Sequence, residues 1–129
     1  MSQANERLRR YLEDDIGACR NEDVQERVDE LEDLETTLDP TLIAQDVQTL
    51  SSLGNETRYR LVRLLVEADA ELCVCEITPL VDVSDSAVSH ALSNLTESGL
   101  VTKRKEGRWR KYRATRRAQA LLTVLDGAR

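Results

Sequence analysis

Phenylalanine is absent from these 129 residues, and histidine and tryptophan occur once each. The core must therefore be built from Leu, Val, Ala and Ile within a hydrophobic content of 40%. One histidine leaves no paired imidazoles, and neither a Gly-rich phosphate loop nor a nucleophile-base constellation occurs, so no enzyme is expected. No apolar run approaches the roughly 20 residues that span a bilayer, and the polar start "MSQANERLRR" is no signal peptide. The expectation is a cytoplasmic protein that makes no membrane contact. Cysteine occurs only three times, an odd number that argues against a secreted disulfide framework and leaves thiols free for chemistry. Internal repeats, low-complexity tracts and Gly/Ser linkers are missing too. Lysine is scarce, 3 against 15 Arg, beside 24 carboxylates. That balance points to a halophilic host about as well as to an ordinary acidic protein.

What is present is unevenly spread. The net charge of -6 divides into -9 over residues 1–50, -5 over 51–100 and +8 over 101–129. A basic segment on an acidic chain is the footprint of a nucleic-acid contact confined to one element. The length suits one domain with an appendage. Pro40 in "TLDPT" marks the boundary, with a helical extension expected over 1–40 and the main domain over 41–129. In the extension, a short helix ends near Gly17. Val24, Val28, Leu31, Leu34 and Leu38 then form an amphipathic stripe that lies on its own domain or pairs with another subunit.

From Leu42 the pattern is a series of short helices. Leu42, Ile43, Val47, Leu50 and Leu53 recur up to Gly54, and Asn55 caps "ETRYRLVRLLVEA". A short helix around "CVCEITPL" and the tight "VDV" precede "DSAVSHALSNLTES", for which Ser84 is the expected N-cap and Gly99 the left-handed terminus. Two short helices joined by a three-residue turn make a helix-turn-helix. The segment "LVTKRKEGRWRKYRAT" reads as a hairpin turning at Glu106-Gly107, basic on both faces, with little to bury. The final "RRAQALLTVLD" is a helix with Ala118, Leu121, Leu122, Val124 and Leu125 on one face. The fold expected is mainly α with a small β-hairpin, a winged helix-turn-helix carrying an N-terminal helical extension.

In the second helix of the pair, Ser86, Ser89, His90 and Ser93 share the face opposite the apolar one. They are short enough to let the backbone approach a major groove, and they carry donors or acceptors for base edges. Asn94 is a flanking candidate. The alternative is the solvated face of an ordinary helix. In the hairpin, Lys103, Arg104, Lys105, Arg108, Arg110, Lys111 and Arg113 are candidate phosphate contacts.

The stretches "LSSLGNETRYRLVRLL", "ELCVCEI", "VSDSAVSHALSNLTESGLV" and "RKEGRWRKYR" resemble the ArsR/SmtB family of metal- and metalloid-responsive repressors, over roughly residues 42–125. The resemblance implies a homodimer joined through the first and last helices of the winged domain, bound to double-stranded DNA at an imperfect palindromic operator. It also implies release when a thiophilic ion binds, with Cys73 and Cys75 of "ELCVCE" as metal-box ligands. Residues i and i+2 on a regular helix point about 200° apart, so both sulfurs face one ion only where the helix is starting or distorted. In the family's cysteine box a third cysteine follows three residues later, and here that position is Thr78. Cys19, in an extension that folds over its own subunit or reaches across a dimer, is the only replacement as third sulfur, and the alternative for it is a small buried apolar residue. The family's carboxylate-imidazole zinc site on the last helix has no histidine here. The expected inducer is therefore arsenite or antimonite, ahead of cadmium, lead or zinc, with no tightly bound cofactor. Two other readings remain: a thiol redox sensor acting on the same cysteines, and an architectural DNA-binding protein whose cysteines are structural.

Overall fold

A computed structural model describes residues 3–17 and 19–127. The chain divides into two compact units, 1–43 and 44–129. In the first, α1 (Gln3–Ile16) and α2 (Asn21–Glu35) pack together and bury Leu12 and Val24. The carboxylate of Asp23 accepts from the Arg20 N–H at the start of α2, a reciprocal half of a capping box. Gly17 ends α1 at φ +86°. The expected stripe is only partly used. Val24 is buried, whereas Leu31, Leu34 and Leu38 are exposed, and Leu38 lies beyond the end of α2.

The second unit opens within α3 (Pro40–Leu53), whose packing reverses the usual amphipathic rule. Its buried residues are Thr49 and Ser52, while Val47 and Leu50 are 57% and 58% exposed. The buried hydroxyls are satisfied: Thr49 donates to the Ser98 carbonyl, and the Ser52 and Ser98 hydroxyls hydrogen-bond each other. The Arg58 guanidinium donates to the Ser52 and Ser51 carbonyls, so a cation closes the C-terminal end of α3.

Asn55 caps α4 (Glu56–Ala68) by accepting from the Arg58 N–H at 3.1 Å. Leu61, Val62 and Leu65 of α4 enter the core. Ser84 caps α6 (Asp85–Glu97) through the Ala87 N–H, also at 3.1 Å. The far end of α6 is a Schellman closure: Leu100 donates to the Leu95 carbonyl and Gly99, at φ +74°, to that of Thr96. Leu100 is thereby folded back into the core with Val88, Leu92 and Leu95.

Between α4 and α6 lie β1 (Leu72–Cys73), α5 (Val74–Ile77) and a 3-10 turn over Thr78–Leu80. After α6 come β2 (Val101–Glu106), β3 (Trp109–Ala114) and α7 (Arg116–Gly127). The sheet order is β1-β3-β2, all antiparallel, so the wing is three-stranded rather than a lone hairpin. Glu106 pairs with Trp109, which moves the turn to Gly107-Arg108. Gly107 stands at φ +61°, the first-position requirement of a II′ turn. The hairpin also buries more than its basic character implies. Val101, Tyr112 and Ala114 all belong to the core, because the base of the wing is a wall of the domain.

The buried apolar face of α6 and its polar face should separate stability from DNA recognition. Leu92→Ala is expected to lose about 2–5 kcal/mol of unfolding free energy. Ser89→Ala, at an exposed position, should stay within about 0.5 kcal/mol. Chemical denaturation at fixed protein concentration distinguishes the two.

Candidate functional site

Cys73 is the last residue of β1 and also the N-cap of α5, at φ -71° and ψ 147°. The helix starting here resolves the geometric problem of an i, i+2 pair, because Cys73 is still extended while Cys75 sits in the first turn. The two sulfurs are 2.7 Å apart. Cys73 Sγ accepts from the Cys75 N–H at 3.3 Å and from the Cys75 thiol. The Cys73 N–H in turn donates to the Glu76 carboxylate at 2.9 Å. Cys73 is buried and Cys75 is exposed.

The Cys75 thiol is held above the ordinary cysteine range, chiefly by its hydrogen bond to Cys73, with desolvation and the nearby Glu76 carboxylate adding. A raised folded-state value favours the protonated thiol. The contribution to stability is therefore full below the ordinary thiol range and is lost as pH rises through the folded value. A soft ion needs the thiolate, so ion loading must displace this proton. Two sulfurs each about 2.3 Å from one ion stand about 3.3 to 3.8 Å apart as the angle between bonds runs from 90° to tetrahedral. Binding thus requires the pair to open by about 1 Å or less from its present 2.7 Å.

Cys19 lies in the first unit, half-buried between α1 and α2, with its thiol 3.6 Å from the Arg20 carbonyl. Among the described residues, no group of three or more His, Cys, Asp or Glu side chains is arranged to hold a metal ion. Thr78 is turned to its own helix, its hydroxyl donating to the Val74 carbonyl.

On α6, Ser86, Ser89, His90 and Ser93 are all exposed on one face, as their spacing predicts. Asn94 is the exception. It is half-buried, and its side-chain oxygen is enclosed with no hydrogen-bond partner among the described residues, so it stands apart from that exposed face.

The basic residues of the wing fall into two sets. Arg104 donates to Glu71 at 2.9 Å and to Glu106 at 3.1 Å, and Lys111 pairs with Glu106 at 2.7 Å. These contacts raise the affinity of Arg104 and Lys111 for their protons and lower that of Glu106, whose strongest partner is Lys111. Lys103, Lys105, Arg108 and Arg110 are exposed and enter no ion pair among the described residues. The Arg108 guanidinium stacks 4.8 Å from the Trp109 ring centroid at the wing tip. Arg113 leans toward the Asp69 carbonyl.

Sequence spacing offered no sign that the cysteines and the wing belong to one sheet. Leu72 pairs with Tyr112 and Cys73 with Lys111, and Lys111 also pairs with Arg104. Cys73, Lys111 and Arg104 therefore form one cross-strand row on a single face. The signal available was the short apolar "LC" before the pair, two residues that no periodicity argument can assign.

A capped helix pair backed by a basic wing defines a winged helix-turn-helix regulator. The solved structure of HlyU from Vibrio cholerae N16961 matches it with a TM-score of 0.60 at 31% identity, over 67% of this chain and 94% of that one. The homodimeric winged helix-turn-helix DNA-binding domain Mb0332 from Mycobacterium bovis matches with a TM-score of 0.59 at 27% identity, over 68% and 80%. The family model for bacterial regulatory proteins of the arsR family matches residues 55–103. A Halobacterium salinarum protein whose name places it among the ArsR repressors of arsenical resistance operons is 56% identical over 126 residues, 98% of each chain. The arsenical resistance operon repressor of Escherichia coli K12 is 43% identical over 67 residues, 52% of this chain and 56% of that one. This chain belongs to the ArsR family.

The sulfur contact makes reactivity at Cys75 depend on Cys73. Near pH 8, about the ordinary range for a thiol, iodoacetamide should label Cys75 slowly, and Cys73→Ala should accelerate the labelling several-fold. Peptide mass spectrometry after timed quenching gives the rates, and equal rates in the two proteins contradict the assignment.

Proposed function

We propose that this chain is a transcriptional repressor that holds an imperfect palindromic operator as a homodimer and leaves it when arsenite or antimonite binds Cys73 and Cys75, with Cys19 as third sulfur. The observation that carries the reading is the convergence of two sulfurs at a helix start, where a small opening lets both face one ion. The lack of a histidine in α7 supports a sulfur-held inducer over a carboxylate-imidazole zinc site. Cadmium, lead and zinc follow behind the metalloids. The relatives named as arsenical repressors support the same choice.

The dimer is supported by apolar surface that the second unit leaves open. Val47 and Leu50 of α3, and Val124 and Leu125 of α7, are all exposed. A two-fold dimer placing one α6 in each of two successive major grooves needs half-sites about one helical turn, roughly 34–36 Å, apart. Ser86, Ser89, His90 and Ser93 would read base edges, while Lys103, Lys105, Arg108 and Arg110 would contact phosphates. Arg104 and Lys111 serve this role only as far as their carboxylate partners release them.

Cys73→Ser,Cys75→Ser should bind the operator like wild type but stay bound at arsenite concentrations that release wild type. Cys19→Ser should need more arsenite, since two sulfurs still hold the ion. Operator anisotropy under reducing conditions measures both, and wild-type release from the double variant defeats the ligand assignment. The short contact between sulfurs also favours a second reading, a thiol redox sensor. Release by peroxide without metal, with arsenite inert, would select it.

The wing's role is tested by salt. Arg108→Ala,Arg110→Ala should weaken binding to all duplexes alike and lower the slope of log affinity against log salt by about 1.8, at about 0.9 per phosphate contact. An unchanged slope removes these residues from the interface.

A further inference from the structure

Opening the cysteine pair has a definite mechanical consequence on the strand side of Cys73. Its sulfur accepts two hydrogen bonds from Cys75, and these define the cap of α5. When both sulfurs take one ion, the Cys75 thiol gives up its proton, its hydrogen bond to Cys73 is lost and the two sulfurs move apart. The junction between β1 and α5 must then rearrange. Immediately before this junction, Leu72 and Cys73 are paired to Tyr112 and Lys111 of β3. Glu71, two residues before Cys73, holds Arg104 of β2 through both carboxylate oxygens, at 3.2 and 2.9 Å. Arg104 continues to Glu106, and Glu106 to Lys111, which stands opposite Cys73. The cysteine strand is thus tied to both strands of the wing, to β3 by backbone pairing and to β2 by a charged side-chain contact. Both ties meet on the face that carries Cys73.

We propose that Glu71 and Arg104 are positioning residues for induction: their ion pair, linked through Glu106 to Lys111, carries the movement of Cys73 into the wing, so that loading the cysteines reorients the phosphate-contacting hairpin. This rests on Cys73 and Cys75 being the inducer ligands. Either pair alone is too exposed to add much stability, and that is the useful property here. A tie that contributes little to folding can be altered without unfolding the domain, while still biasing one of two wing orientations. The arrangement also neutralises Arg104 and Lys111 by carboxylates of the same chain. A change at Glu71 therefore alters both the position of the wing and the charge it presents to DNA.

The single tryptophan reports on this directly, because Trp109 sits at the wing turn and nowhere near the cysteines in sequence. Arsenite is titrated into DNA-free wild type, Glu71→Gln, and Cys73→Ser,Cys75→Ser. Ultraviolet absorbance of the arsenic–sulfur bonds follows binding, and Trp109 emission follows the wing. Operator affinity is then measured with and without saturating arsenite, on a duplex that wild type has selected from a random-sequence pool. Wild type should show an emission change that saturates with arsenite binding. Glu71→Gln should bind arsenite with unchanged affinity, yet lose most of the emission change and at least about threefold of the ratio between free and arsenite-loaded operator affinities, within the usual range of coupling. If arsenite still binds and releases Cys73→Ser,Cys75→Ser, the ligand reading underneath has failed. If that control behaves as expected but Glu71→Gln keeps the full emission change and the full ratio, the wing route is overturned and α5 alone carries induction.

Discussion

Two residue pairs, Leu72 with Tyr112 and Cys73 with Lys111, tie the cysteine segment to the wing. On one face of that short ladder Tyr112 is buried in the core and Leu72 packs against it. On the other face Cys73 leads the row that continues through Lys111 to Arg104. The alternation of a strand thus turns one residue to the core and the next to the face that carries the thiol and the charged row. Without this pairing, the cysteines would lie on a loop with no fixed relation to the wing. With it, the thiols, the start of the helix-turn-helix and the base of the hairpin share one rigid corner of the domain.

The capped helices around that corner were legible in the sequence because each is set by local rules. Asn55 and Ser84 cap as their side chains require, Gly99 takes the positive φ that its helix needs, and the apolar face of α6 follows its spacing. The exposure of Ser86, Ser89, His90 and Ser93 on one face followed from the same periodicity. What escaped was nonlocal. A two-residue strand has no period to detect, so β1 leaves no mark in the sequence and the wing reads there as a hairpin with little to bury. The turn was misplaced by one residue because Glu106-Gly107 and Gly107-Arg108 both offer the glycine. The register, which pairs Glu106 with Trp109, decides between them.

A second nonlocal feature is the inverted burial of α3. Its spacing shows an apolar face, but spacing says nothing about which face the domain covers. Here the domain covers the hydroxyl side, where Thr49 and Ser52 meet the end of α6 at Ser98. A helix that buries its polar residues within its own domain and leaves Val47 and Leu50 in solvent has reserved its apolar side for something else. The same polar contact joins α3 to the C-terminal end of α6. A partner seated on the apolar side of α3 would therefore fix the reading helix through hydrogen bonds, which have stricter geometry than apolar packing.

Were the cysteine pair the switch proposed above, the charge of the wing would set how large a movement it needs. Seven basic residues in the hairpin would clamp DNA firmly if all were free, and a firmly clamped repressor needs a large coupling energy to let go. Two of the hairpin cations are instead held by carboxylates of the same chain. Each cation kept from phosphate removes close to one unit from the salt slope and a corresponding share of the affinity that is independent of sequence. What remains for discrimination is the short polar face of α6, whose contacts depend on angle and depth in the groove. A shift of the wing by a fraction of a turn leaves total charge unchanged but spoils that alignment. Partial neutralisation thus moves the balance of binding from charge, which tolerates displacement, to geometry, which does not. On this argument a coupling of about 1–3 kcal/mol is sufficient to release the operator.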